Sequence, residues 1–252
     1  MKKLLLFICL VFGGTAIYAQ ASTADNAAMN SFSKLDNMKS LLSNRARNVT
    51  SFDNRYEGVK GTPFLNEDWL EGKLVLADSV LVKNKMLFKF DVLNNEVWIK
   101  YKTDEEHILY NRELLTLELF HNDGKKTKFI KFKLPENENR HHFSMAIFEG
   151  KSFILVKDMK KIFRKSNLED KGFVTVGHAY DWFEEQANFY VRKGSDITTK
   201  VSLKKADIME AARLSRPHTV LVEKYCKEHN LKGKLTEEEA MQLVGYMNIL
   251  NE

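Results

Sequence analysis

The sequence predicts a mainly β protein of the α+β class: a curved antiparallel sheet, open barrel or sandwich of about ten strands built from consecutive hairpins, with about three helices clustered at the C-terminus. Three observations predict it. Apolar and polar residues alternate with period two from residue 73 to about 203, and turn-forming pairs such as Asn94-Asn95, Asp123-Gly124 and Glu149-Gly150 separate the alternating runs. After 203 the apolar spacing changes to that of a helix.

The first residues, MKKLLLFICLVFGGTAIYA, pair two lysines with an apolar run from Leu4 to Phe12 and small residues near Ala19. That pattern predicts a secretory signal peptide over 1–19, because the apolar run is too short to cross a bilayer. Residues 20–57 are expected to hold a flexible leader, QASTADNAAMNS, and an amphipathic helix over 28–46 carrying Met29, Phe32, Leu35, Met38 and Leu41/Leu42 on one stripe. The antiparallel β domain is placed at 58–203, and helices packed on it at 204–252.

Within the β domain, strands are expected at 73–77, 79–83 and 106–111. In KMLFKFDV one face holds Met86, Phe88, Phe90 and Val92, and in EVWIKYK it holds Val97, Ile99 and Tyr101. LLTLELF is read with Leu115, Leu117 and Leu119 inward. KFIKFKL returns with Ile130, Phe132 and Leu134 inward, opposite Phe129, Lys131 and Lys133. A third hairpin spans Phe143 to Val156, and a fourth, QANFYVRKGSDITTKVSL, turns near Lys193-Gly194-Ser195. In the helical part, ADIMEAARL forms a short helix and Pro217 opens a second one at a first-turn position. That helix is expected to bury Leu221, Val222, Tyr225, Cys226 and His229. Thr236 with Glu239 forms a capping box that starts a third, whose stripe is Ala240, Leu243, Val244, Met247 and Leu250.

The stretch KGTPFLNEDWLEG at 60–72 concentrates glycine, proline, tryptophan and three carboxylates. It reads as a structural corner anchored by Trp69, with Glu67, Asp68 and Glu71 facing water. The competing reading is a paired-carboxylate hydrolase site.

Composition narrows the chemistry. Removing Lys2 and Lys3 with the signal peptide lowers the formal charge from +5 to about +3, an ordinary balance that demands no nucleic-acid partner. Cys226 is then the only cysteine, so no internal disulfide is expected. The chain contains no H-E-x-x-H, CxxC, G-x-S-x-G, Walker or G-x-G-x-x-G motif. His141 and His142 point to opposite faces of a strand. His218 and His229 share a helix face, about 16 Å apart along it. No catalytic residue, metal ligand or cofactor is therefore assigned. Cys226 and His229, three residues apart, resemble a nucleophile and base, but they fall on the predicted buried stripe. Lysines 83, 85, 89, 100, 102, 125, 126, 128, 131 and 133, with KDMKKIFRK at 157–165, mark a solvated face or a basic surface for acidic lipid head groups or polysaccharide.

The segments GTPFLNEDWLEGKLVL, VWIK, EGKSFILVK, FYVRKG and EKYCKEHNLKGKLTEEEAMQLVGYMN resemble a group of uncharacterised β-rich proteins with signal peptides, exported by Gram-negative bacteria. The resemblance covers most of 57–252, rests on turn and packing residues, and implies a fold without implying an activity. Where a fuller basic-Tyr-Asn segment is expected after the first core strand, this chain has LFKFDVLNN.

Three functional readings follow in order. The first is a non-catalytic exported interaction protein of the periplasm or extracellular space. Its partner would be an envelope or extracellular protein, or an apolar or anionic envelope component; neither nucleic acid nor a transmembrane segment in the mature chain is expected. The second is a carrier whose concave sheet face, around Phe88, Phe90, Ile130 and Phe132, holds a lipid or other apolar ligand. The third is a hydrolase with unidentified catalytic residues.

Overall fold

The computed structural model describes residues 46–48, 56–76, 80–81, 86–101, 106–137, 141–170, 172–195 and 198–252. Contacts divide the chain into Met1–Asn44 and Arg45–Glu252, and every described residue belongs to the second unit. The signal peptide, and the leader and helix expected ahead of residue 46, lie outside the described residues.

The strands follow the hairpin grammar of the sequence. They are β1 (Ala46–Asn48), β2 (Leu70–Leu76), β3 (Val80–Leu81), β4 (Met86–Asp91), β5 (Glu96–Tyr101), β6 (Glu106–Leu109), β7 (Leu114–Phe120) and β8 (Lys126–Lys133). Then come β9 (His141–Glu149), β10 (Phe153–Arg164), β11 (Glu169–Asp170), β12 (Thr175–Val176), β13 (Trp182–Lys193) and β14 (Thr199–Val201). Twelve of them form one antiparallel sheet in the order β1-β6-β5-β4-β2-β7-β8-β9-β10-β13-β14, with β3 on the side of β2, and β11 pairs only with β12. The path is open at β1 and β14, so the sheet does not close into a barrel by backbone pairing. β1 lies where the sequence placed the leader and helix, and pairs β6 through Ala46↔Leu109 to Asn48↔His107.

The sheet curls. Phe90 on β4 and Phe129 on β8 are separated by two strands, or about 14 Å across a flat sheet, yet their ring centroids lie 4.3 Å apart. Side chains of this length cannot span that gap without curvature. At the rim, Nδ2 of Asn95 donates to the Phe143 carbonyl and the Phe143 N–H donates to Asn95 Oδ1, each at 2.9 Å. The β4–β5 turn thus returns to β9 and partly closes this lobe through one side chain. Asn95 adopts φ 55, tolerable for asparagine, and Asp91 fixes the turn by accepting from the Asn94 N–H at 3.0 Å.

A β-bulge corrects the expected inward set of β7. Val75 pairs with Thr116 but Leu76 pairs with Leu114, so Leu115 is the extra residue. It is 43% exposed, and Leu114 takes the buried place beside Leu117 and Leu119. The β4–β5 strands are also not one-sided. Trp98 is buried on the face opposite Val97 and Ile99, where Phe64 meets it edge-on at 5.2 Å.

The helices are α1 (Lys205–Ala212), α2 (Arg216–Glu228) and α3 (Glu237–Leu250). Pro217 lies in the first turn of α2, and Thr236 and Glu239 form the reciprocal capping box of α3. They cover one face of β9, β10, β13 and β14, where Phe153, Leu155, Val191 and Val201 pack with Ile208, Val222, Cys226, Leu243, Val244 and Met247. The expected stripe of α2 is narrower than the sequence implied. Val222 and Cys226 are buried, Tyr225 is partly so, Leu221 is 42% exposed, and His229 caps the helix in solvent. Asn248 joins α3 to the sheet by accepting from the Ser152 and Phe153 N–H groups at 2.8 and 3.2 Å. Gly150 makes that approach possible, because a Cβ there would stand 2.4 Å from Asn248 Oδ1.

Candidate interaction surface

β10 and β13 form a ribbon much longer than its neighbours. All twelve residues of β10 pair with β13, from Phe153↔Lys193 to Arg164↔Trp182, whereas β9 pairs only with Ile154 to Lys157. Residues 158–164 and 182–188 therefore run on as two strands for about 23 Å.

The segment 56–69 braces this ribbon. Lys60 pairs with Trp182, its N–H donating to the Asp181 carbonyl at 2.9 Å and its own carbonyl accepting from the Phe183 N–H at 3.1 Å. Tyr56 packs on Phe183 at 5.0 Å and on Phe163 at 6.0 Å. Lys161 sends its ammonium to the carbonyls of Thr62 and Phe64 at 2.8 and 2.7 Å and pairs with Glu185 at 3.0 Å. Beyond, Phe64 bridges to Asp91, and the Leu65 N–H donates to the Phe90 carbonyl at 2.9 Å. The stretch 60–72 is thus part of a strap joining the β4–β5 hairpin to the ribbon. Its acids, Glu67, Asp68 and Glu71, are all exposed. Trp69 is half-buried rather than enclosed, with the ammonium groups of Lys89 and Lys100 over its ring at 5.3 and 5.8 Å.

The braced ribbon ends in an apolar tip. Five of the eleven exposed large hydrophobic residues among the described residues fall within 168–180: Leu168 (54%), Phe173 (107%), Val174 (60%), Val176 (50%) and Tyr180 (38%). The tip has internal order. β11 and β12 pair through Glu169↔Val176 and Asp170↔Thr175, and Asn167 and His178 exchange hydrogen bonds at 3.0 and 2.9 Å. His178 meets Trp182 edge-on at 4.5 Å, and Lys60 lies over the Tyr180 ring at 4.9 Å. Leaving such a cluster in water forgoes about 1.5–3 kcal/mol for each large side chain that a partner would cover. The sequence did contain its signal, GFVTVG, an apolar run between Gly172 and Gly177. Four residues between two glycines show too little alternation to mark an element.

The four residues of the expected concave apolar site are all buried, but on two different faces. Phe88 and Phe90 face the curl of the first lobe, where Phe90 meets Phe129. Ile130 and Phe132 lie on the opposite face of β8, since successive strand residues alternate, and cluster with Leu134, Val156 and Tyr190. Both faces are occupied by side chains at these positions.

Other candidate chemistry resolves into packing and local pairs. Cys226 is buried, and burial pushes its thiol up, against the thiolate. His229 instead packs on the ring of Tyr225 at 4.2 Å. Among the described residues no three or more His, Cys, Asp or Glu side chains gather as a metal site. Several lysines of the expected basic face have local partners: Lys125 pairs with Asp123, Lys128 with Glu149, and Lys131 donates to the Arg112 carbonyl. On the inward face of β10, Asp158 is buried with Oδ2 3.5 Å from the Lys160 ammonium and no hydrogen bond to that oxygen. Burial pushes its carboxyl above the ordinary 3.8, a shift that Lys160 and His142 oppose. No described helix is long and apolar enough to cross a membrane. Compared with known proteins, the chain matches no family model, no curated protein and no solved structure.

Proposed function

We propose that this chain is an exported interaction protein of the cell envelope whose contact element is the tip of the β10–β13 ribbon. The observation that carries the reading is the concentration of exposed apolar side chains around Phe173, at the end of a ribbon braced by the 56–69 strap. A mobile loop would lose conformational entropy on docking. A braced ribbon has already given up that freedom, so covering its apolar tip contributes more directly to affinity. The lysine-led apolar run at residues 1–19 supplies the route out of the cytoplasm.

The test is a tip variant. Phe173→Asp combined with Val174→Asp should leave the melting transition within about 0.5 kcal/mol of wild type, because neither side chain is packed. In native gels of envelope extracts, wild type should migrate as a complex and the variant as the free chain. Equal migration of the two would exclude the tip as the contact element.

A further inference from the structure

On the outer face of β4 and β5, three aromatic rings and a lysine form a small box. The ammonium of Lys89 lies 4.9 Å from the Phe64 ring centroid and 5.3 Å from that of Trp69. Trp98, opposite Lys89 in the ladder, holds Phe64 edge-on at an interplanar angle of 87°. Among the described residues no carboxylate forms an ion pair with Lys89, so aromatic faces are the main contacts of its charge. Lys100 borders the box 5.8 Å from Trp69 and is paired with Glu106 at 4.0 Å.

We propose that the Phe64–Trp69 box, buttressed by Trp98, is a recognition site for a quaternary ammonium group, occupied in this structure by the chain's own Lys89. Aromatic faces attract a cation through the ring quadrupole, and the attraction is greatest for one that gives up little hydration. A primary ammonium is a poor occupant by that measure. Its three N–H donors find no acceptor in the box, and burial pushes the Lys89 amine below its ordinary value of 10.5, while Glu106, Asp68 and Glu67 act to keep it charged. A trimethylammonium group has no N–H to leave unsatisfied. The same three carboxylates favour its charge, and the four-carbon stem of Lys89 lets the displaced amine swing into water. Lys89 is then an intramolecular competitor that sets the affinity of the site, which is separate from the ribbon tip.

Tetramethylammonium chloride is the probe, titrated against sodium chloride at equal ionic strength, with the indole N–H resonances read by NMR. Trp69 should shift saturably with tetramethylammonium and not with sodium, while Trp182, whose ring packs on His178 and is no part of the box, should not respond. Lys89→Ala should tighten binding by about tenfold, and Trp69→Ala, read at the Trp98 indole, should abolish it. Lys89→Gln, which keeps most of the stem, serves if the alanine variant does not fold. No saturable shift in the wild type and Lys89 variants, an equal response at Trp182, or an affinity unchanged or lowered by removing the lysine would each overturn the proposal.

Discussion

Asp158 shows how a single side chain carries a pH dependence. Its folded value is raised, so the folded state binds its proton more tightly than the unfolded chain does. The stabilisation from that proton is complete below the ordinary 3.8 and is lost as pH rises through the folded value. Asp158→Asn should remove this loss, so melting temperatures measured against pH should show a smaller decline for the variant above 3.8. A parallel decline in both proteins would assign the effect elsewhere. Cys226→Ala should cost about 1–2 kcal/mol and the native thiol should react slowly with an alkylating reagent, because the group is packed and held protonated. At 60–72, Glu67→Gln and Asp68→Asn should each stay within about 0.5 kcal/mol in denaturant melts, since both side chains are exposed. At this scale the sequence was readable where one period sufficed. Met86, Phe88, Phe90 and Val92 are buried as the alternation requires. It failed where a neighbour changes the local rule: the bulge that ejects Leu115 is set by pairing with β2, and Trp98 is buried by a strap thirty-odd residues away.

Among the elements, local hairpins were legible and the long-range ladder was not. The turns at Asn94-Asn95, Asp123-Gly124 and Glu149-Gly150 lie where their residue types place them, and the capping box starts α3 at the expected position. KDMKKIFRK gave no strand signal, because its lysines interrupt the alternation. Full pairing with β13 makes it strand all the same, with Lys161 held by the carbonyls of the 56–69 strap. Tyr56→Ala should therefore loosen the ribbon more than the sheet. Hydrogen exchange at Phe183, whose N–H donates to the Lys60 carbonyl, should accelerate, while that at Val191, under the helices, should not. At the other end, Asn248→Ala should destabilise by about 2–3 kcal/mol in denaturant unfolding, because it strips the acceptor from two backbone N–H groups.

At the scale of the whole molecule, the mainly β class and the three terminal helices were written in the change of period near residue 203. The curl that brings Phe90 to Phe129, and returns Asn95 to β9, was not, since curvature arises from contacts between strands distant in sequence. The candidate site was less legible still. Its apolar tip is visible in GFVTVG, but the exposure that gives the tip meaning depends on a ribbon whose two strands begin almost thirty residues apart. The central claim is that this tip touches a partner in the envelope, and the most direct measurement is photo-crosslinking in intact cells from an aryl-azide or diazirine side chain placed at position 173. A discrete adduct from 173, absent when the same group replaces Val220, an exposed residue of α2, is the predicted result. No adduct from 173, or the same adducts from both positions, would contradict it.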